Sequence, residues 1–334
     1  ILLDNAADAR QIRPLLPGSG CGVLVTSRHV LSTLDGARHL HLNALMPREA
    51  FDLLRRLAGP GRVAAEPAAT VEIARLCGRL PLALRIAGAR LAARPGWSVQ
   101  ALAERLDDAH HRLDELEIAD LGVRASFAVS FEQLGASDDP LDRAAARAFG
   151  LLGLLDGPDV ATVVAARLLD SAEAETGRIL ERLVDAQLLA TPVPGRYRLH
   201  DLLRLYAREV AREQDAECVR ADALTRAFSF YVATAWHTLE LLRPGDYRLD
   251  GIDERWREGA LGFPDVQAAL EWLEAERANL LAAIGQVTSV SGIPSEMALQ
   301  LTQAMFAFQM LRGYWDDQLH VNEIARRIAG CTGD

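Results

Sequence analysis

Four short segments of the chain carry side chains of the kind that bind phosphate or a metal ion. The first is Ile1–Asn5, an apolar run that ends at the carboxylate of Asp4. A carboxylate at the carboxyl end of a strand can coordinate Mg²⁺, directly or through water. The alternative is an ordinary buried strand that ends in an Asx turn.

The second segment, Gly22–Arg28, is another apolar run, and it ends in Thr-Ser-Arg. Its last side chain, Arg28, is placed to contact a terminal phosphate, because a guanidinium forms paired, charge-assisted hydrogen bonds with phosphate oxygens. A surface salt bridge is the simpler alternative for this residue.

The third segment is Cys77–Leu84, where Pro81 interrupts a helical pattern. Proline lacks an N–H and clashes with the preceding turn, so backbone groups near Arg79 and Leu80 are predicted to be free for a ligand. A kinked helix without a ligand is the alternative.

The fourth segment is Tyr197–Arg204, where a predicted strand passes into a helix at His200 and Asp201. Asp201 is a predicted helix cap, and capping alone would explain its presence. The imidazole of His200 could donate a hydrogen bond to a phosphate at this junction.

The charged residues exclude several functions. The 36 residues counted as Lys plus Arg are all arginine, so the chain has no Schiff-base lysine and no lysine of a phosphate-binding P-loop. A net charge of −10 argues against broad binding of nucleic acid. The four cysteines have no C-x-x-C spacing, which predicts neither a disulfide framework nor a zinc cluster and fits a reducing cytoplasm.

Hydrophobic periodicity predicts a mainly α fold that follows a short α/β remnant. Three β-like runs, Ile1–Leu3, Gly22–Thr26 and His39–Leu42, come first. From Pro47 to about Leu116 the period changes to 3.6 residues, and Ser98 is the predicted cap of a helix.

The remaining two thirds of the chain are predicted to hold a winged helix and a helical-repeat segment. Helical runs at 141–153, 159–169 and 173–187, followed by a hairpin over 188–199, have the order of a winged helix. Helices at 265–286, 295–312 and 315–329 have the lengths of a helix-turn-helix solenoid. As the end of a repeat array, the last helix is predicted to expose its apolar residues. These are Leu319, Ile324 and Ile328.

Together and in this order, the four segments resemble the NB-ARC module of STAND nucleotide switches, specifically those in actinobacterial antibiotic regulatory proteins of the SARP type. The resemblance covers roughly residues 1–215. It implies a P-loop NTPase core, a helical ARC subdomain and a winged helix around one nucleotide, followed by TPR-like repeats. The chain has no Gly-x-x-x-x-Gly-Lys-Thr, so we expect a fragment that lacks the P-loop.

The resemblance implies a role for each candidate residue. Asp4 would be the Mg²⁺-linked acid of the Walker B strand and Arg28 the sensor of the γ-phosphate. Pro81 would lie on the adenine side, His200 would contact the β-phosphate of ADP, and Asp201 would brace that loop. The ligands implied for the full-length protein are ADP or ATP with Mg²⁺, and this chain alone is expected to bind none.

Two departures from the family pattern bear on activity. The Gly-Leu-Pro-Leu motif appears as Gly78–Leu82, with Arg79 inserted, and Asn5 replaces the second acid after the Walker B strand. The second departure weakens the case for hydrolysis. The parent protein is expected to be a slow ATPase, and this chain alone is expected to be inactive.

The resemblance also predicts a division of the chain into five parts. These are the C-terminal part of the nucleotide-binding core (1–45), the helical ARC subdomain (46–118), the winged-helix domain (119–205), a helical linker (206–258) and the start of the TPR-like repeats (259–334).

The predicted function is the regulatory nucleotide switch of a STAND-type transcriptional regulator of antibiotic biosynthesis, located in the cytoplasm. A protein partner or self-association is expected through the helical repeats, DNA through a domain outside this chain, and no membrane. The alternative is a winged-helix transcription factor fragment that binds DNA directly, with a helical effector domain. A complete metabolic enzyme ranks last, because the sequence has no assembled nucleophile, metal or cofactor motif.

Overall fold

The computed structural model describes residues 1–6, 8–18, 20–28, 30–31, 33–118 and 121–332, with the backbone alone for Leu121, Cys331 and Thr332. The described part is mainly helical with a few short strands, which confirms the predicted fold class. The α-helices are α1 (Ala9–Ile12), α2 (Pro47–Ala58), α3 (Pro60–Ala65), α4 (Pro67–Leu76), α5 (Pro81–Ala93), α6 (Val99–Asp107), α7 (Arg112–Glu115), α8 (Val123–Gly135), α9 (Pro140–Leu152), α10 (Thr162–Leu169), α11 (Glu173–Asp185), α12 (Asp201–Gln214), α13 (Glu217–Leu242), α14 (Val266–Val287), α15 (Glu296–Arg312) and α16 (Trp315–Thr332). The strands are β1 (Leu2–Ala6), β2 (Leu24–Ser27), β3 (Glu117–Ile118), β4 (Leu121–Gly122), β5 (Val160–Ala161), β6 (Ala190–Val193) and β7 (Arg196–Arg198).

The chain forms two compact units that interleave along the sequence. Unit 1 comprises Ile1–Ala146, Glu181–Ala190 and His200–Tyr206. Unit 2 comprises Arg147–Leu180, Thr191–Leu199 and Ala207–Asp334. The division into five parts stays a prediction.

Unit 1 begins with a two-stranded parallel sheet. Leu2 of β1 pairs with Leu24 of β2, and α1 follows the first strand. The predicted third strand at His39–Leu42 is wrong, because this segment pairs with no strand in the described part of the chain. Its Leu42 side chain is 96% exposed, so the alternating apolar residues have no buried face to occupy.

The predicted helical stretch after Pro47 is confirmed as α2 to α7. Ser98 caps α6 as predicted, since its hydroxyl accepts a hydrogen bond from the Ala101 N–H at 3.0 Å. At the C-terminal end of α5, the guanidinium of Arg62 donates to four backbone carbonyls of the last helical turn and of the turn that follows it. These carbonyls belong to Leu91, Arg94, Pro95 and Trp97.

Within the predicted winged-helix domain, residues 140–198 contain the helices α9, α10 and α11 and a three-stranded sheet in the order β5-β7-β6. The helix predicted over 159–169 begins only at Thr162. Val160 and Ala161 instead form β5, which pairs antiparallel with Tyr197 and Arg196 of β7. The predicted hairpin is present as β6 and β7.

Unit 2 is built around α13, a helix that is buried on most of its surface. Helices α10, α14 and α15 pack against it, and α14, α15 and α16 lie close to their predicted bounds. Leu319 of α16 is 70% exposed, as predicted. The prediction is wrong for Ile324 and Ile328, which are buried because α16 packs on both α14 and α15.

None of the helices in the described ranges is both long enough and apolar enough to cross a membrane.

Candidate functional site

The Gly-Arg-Leu-Pro segment forms the turn between α4 and α5. Helix α4 ends at Leu76, and Gly78 and Arg79 both adopt left-handed backbone conformations, each with φ 57°. Pro81 is the first residue of α5, where a missing N–H costs no hydrogen bond. The structure therefore shows two helices joined by a turn rather than one kinked helix.

The turn presents two backbone carbonyls to distant segments of unit 1. The Gly78 carbonyl accepts from the Nε2 of His200 at 2.9 Å, and the Arg79 carbonyl accepts from the Leu45 N–H at 3.0 Å. The N–H groups of Gly78 and Arg79 already donate to carbonyls of α4. The prediction that backbone groups near Arg79 and Leu80 are free is therefore wrong, because the N–H groups and the carbonyls at this turn already have partners within the protein.

The imidazole of His200 is held at both nitrogens. Its Nε2 faces the Gly78 carbonyl, and its Nδ1 accepts from the Leu202 N–H at 3.3 Å. A carbonyl oxygen can only accept a hydrogen bond, so the ring nitrogen that faces it must donate, and the two partners favour the tautomer with the proton on Nε2. The ring also lies so close to Gly78 that a Cβ there would be 2.0 Å from the His200 Cε1.

Asp201 was predicted to cap α12, but in the structure it does not. It is the first helical residue and is exposed, and the ring of His200 takes the capping hydrogen bond from Leu202. The Asp201 carboxylate still favours the helix, because negative charge in the first turn opposes the helix dipole. Burial lowers the pKa of the neighbouring Arg112 guanidinium, and the charge of Asp201 is among the influences that oppose this shift.

Asp4 is the middle residue of β1, two residues before the end of that strand at Ala6. Its Oδ1 accepts a hydrogen bond from the hydroxyl of Thr26, and the same hydroxyl accepts from the Asn5 N–H at 2.9 Å. The carboxylate is exposed. Within the described ranges no group of three or more His, Cys, Asp or Glu side chains could hold a metal ion. A Mg²⁺ ion here would rely on one carboxylate, water and phosphate oxygens, which is a usual arrangement for Mg²⁺.

Arg28 follows β2 and reaches α8. Its Nη1 donates to the Ser126 carbonyl at 3.3 Å, and the side chain is exposed. On the same helix, the rings of Phe127 and Phe131 pack against Tyr206 of α12, with centroid separations of 6.1 and 6.0 Å. Helix α8 thus contacts both the segment that carries Arg28 and the helix that begins after His200.

The structure brings the predicted residues into two groups. One joins Gly78 and His200, with Pro81 at the start of the adjacent helix, and the other joins Asp4 to the strand that leads to Arg28. Sequence reasoning missed Thr26 and the backbone of Leu45 and Ser126. Thr26 had a usable signal, since it is a polar residue near the end of β2, which runs parallel to the strand that contains Asp4.

Two regulatory proteins are similar to most of the chain. The chain is 46% identical over 291 residues to the regulatory protein AfsR of Streptomyces coelicolor, and the matched region covers 86% of this chain and 28% of that protein. The chain is 47% identical over 300 residues to AfsR of Streptomyces griseus, and this matched region covers 89% of the chain and 30% of that protein. The chain is a relative of one segment of AfsR. No protein-family model matches it. The chain spans about three tenths of the length of these two relatives.

Cys77, next to Gly78, provides a pH test of the packing at this turn. Burial raises the pKa of its thiol to about 12 from the usual 9.0. The unfolded chain therefore ionises first, and we expect stability to be unaffected below about pH 9 and to fall above it by about 1.4 kcal/mol per pH unit. Urea denaturation at about pH 8 and pH 10 measures this fall. The Cys77→Ala variant should lack this contribution, and an equal loss in both proteins would contradict the prediction.

Proposed function

We propose that this chain is the nucleotide-sensing regulatory segment of a transcriptional regulator of the SARP type. The observation that carries the proposal is the contact between His200 and Gly78, which joins two of the four predicted segments across 122 residues. The similarity to AfsR supports a regulatory role. In this function the state of a bound adenine nucleotide selects between two packings of the chain.

The geometry of His200 suggests how a phosphate would be sensed. The single N–H of the neutral ring is directed at the Gly78 carbonyl. A nucleotide phosphate would compete with that carbonyl for the same N–H, or it would bind the protonated ring, which has two donors. The turn at Gly78 leads directly into α5. If a phosphate replaced the Gly78 carbonyl as the partner of the His200 imidazole, the start of that helix would therefore be affected.

The other candidate residues fit ADP or ATP with Mg²⁺ to different degrees. Asp4 is an exposed carboxylate with room for a Mg²⁺ ion, and Arg28 is exposed at the end of the adjacent strand. Pro81 is exposed at the first turn of α5, where an adenine could pack on its ring. Asp201 braces the junction by its charge near Arg112. When bound, the nucleotide supplies the phosphate charge to which these groups respond.

His200→Ala tests the proposal in the full-length protein. We expect ADP affinity to fall at least about tenfold, because a charge-assisted hydrogen bond to phosphate is lost. Isothermal titration calorimetry with ADP measures the change. Asp201→Ala is the matched control one residue away, and it should change stability by less than about 1 kcal/mol and leave the affinity near that of the wild type. Unchanged ADP affinity in His200→Ala would remove His200 from the site.

The rival function, direct binding of DNA by the α9–α11 region, is not favoured by the charge of α11. Four acidic side chains of this helix are exposed against one exposed arginine, Arg178. Phosphates would be repelled from such a face. The exposed acidic residues are Glu173, Glu175, Glu181 and Asp185. We therefore propose that DNA is bound outside this chain and that the C-terminal helices serve a protein partner or self-association.

A further inference from the structure

Helix α14 buries a row of polar side chains within unit 2. Glu276, Asn279 and Gln286 are 1%, 4% and 5% exposed. Gln286 pairs with the turn that follows α9, accepting from the Asp156 N–H at 3.1 Å and donating to the Leu154 carbonyl at 2.5 Å. A buried polar side chain is costly unless its hydrogen bonds are made, so the partners of this row decide what it does.

Glu276 uses both carboxylate oxygens. Oε1 accepts from the Arg196 Nη1 at 2.6 Å. Oε2 accepts from the Tyr231 hydroxyl at 3.0 Å and from the Asn279 Nδ2 at 2.7 Å. Three elements, β7, α13 and α14, therefore meet at one buried carboxylate.

Arg196 bridges Glu276 to a second carboxylate. Its Nε donates to the Oδ1 of Asp159 at 3.2 Å, and the Asn279 Nδ2 donates to the same oxygen at 3.2 Å. Burial raises the pKa of Asp159, but hydrogen bonds from Arg196 and Asn279, with the charge of the nearby Arg198, outweigh it and leave the pKa below its ordinary value. The cluster therefore contains one guanidinium, that of Arg196, between the two carboxylates of Glu276 and Asp159, all within unit 2.

A cluster of this kind contributes more to geometry than to stability. Apolar residues of similar volume often replace a buried ion pair without loss of stability, whereas removing one partner leaves a costly uncompensated charge. The directional hydrogen bonds of the Arg196 fork allow few positions of β7 relative to α14. Beyond β7, only Leu199 separates the strand from His200.

We propose that Arg196 and Glu276 form a latch that ties β7 to α14 and thereby positions His200. Arg196 is a positioning residue, since it acts through the strand and not on a ligand. The choice of His200 as the output rests on the proposed function.

Arg196→Met in the full-length protein tests the latch by two measurements that need no nucleotide. We expect hydrogen exchange in the peptide covering 196–199 to accelerate about tenfold or more, while α15 stays protected. We also expect the imidazole resonance of His200, assigned by its loss in His200→Ala, to shift as its contact with Gly78 weakens. A protein in which β7 contributes only to stability would show the first change without the second.

Arg277→Met is the matched control. Arg277 lies next to Glu276 on α14, but it pairs with Asp317 of α16 and should leave both signals unchanged. If Arg196→Met does not fold, Glu276→Gln keeps the side-chain volume while removing the charge, and the same two changes are expected. Wild-type exchange over 196–199, or an unmoved His200 resonance, overturns the latch. Failure of the wild type to bind ADP overturns the proposed function and leaves both measurements of the latch valid.

Discussion

Gly78→Ala is expected to lower the free energy of unfolding by about 3 kcal/mol and to displace the imidazole of His200. The backbone of Gly78 is left-handed with φ 57°, a conformation that costs an L-residue about 1 kcal/mol. The added Cβ would lie 2.0 Å from the His200 Cε1 and 2.5 Å from its Nε2, and such overpacking costs about 1–3 kcal/mol more. Chemical denaturation and the His200 imidazole resonance measure the two effects.

Gly245→Ala separates backbone strain from the clash. Gly245 has φ +81° and no atom within 4 Å of the position of a Cβ. This variant should therefore lose only about 1 kcal/mol and leave the His200 resonance in place. Equal losses of stability in the two variants would show that the ring of His200 does not lie against Gly78.

Gly157→Ala is expected to lower the free energy of unfolding by about 2–3 kcal/mol, through a clash with a buried side chain. A Cβ at this position would lie 2.2 Å from the Asn279 Oδ1 and 3.0 Å from its Cγ. Asn279 is buried and its Nδ2 is committed to Glu276 and Asp159, so it cannot withdraw without breaking those hydrogen bonds. Urea denaturation measures the loss.

Gly285→Ala is the control on the same helix. Gly285 lies within α14 with no atom within 4 Å of a Cβ, so the change should stabilise the protein by about 0.5–1 kcal/mol through helix propensity. A stable Gly157→Ala protein would mean that the turn after α9 does not pack on Asn279 as described.

Much of the helical architecture could be predicted because each helix carries its own periodic signal. The bounds of α14 and α15 follow from apolar spacing and from the breaks around Pro264 and Pro294. The short strands were harder. Val160 and Ala161 have no local signal that separates them from α10, and their strand conformation depends on pairing with β7. The segment His39–Leu42 has the opposite property, a strand-like pattern without a strand to pair with.

The candidate site could be predicted only as a set of segments. Asp4, Arg28, Pro81 and His200 were identified from residue type and position. The bond between His200 and Gly78 spans 122 residues, and no local pattern reports a contact over that separation. The same limit applies to Glu276, which resembles a solvated residue of an amphipathic helix until Arg196 is seen beside it. Asp201 was predicted as the cap because its residue type is favoured there, and the imidazole one residue earlier took that role.

The use of arginine at positions such as Arg62 has a practical consequence for chemical labelling. A guanidinium keeps its proton at any pH that a protein tolerates, and its fork reaches carbonyls that a single ammonium group could not serve together. Because the chain uses arginine for every such position and contains no lysine side chain, acylating reagents, amine-directed cross-linkers and enzymes that acetylate or conjugate lysine find no side chain to modify. Among the residues whose side chains the structure describes, the exposed cysteines Cys21 and Cys218 offer thiols for attaching labels.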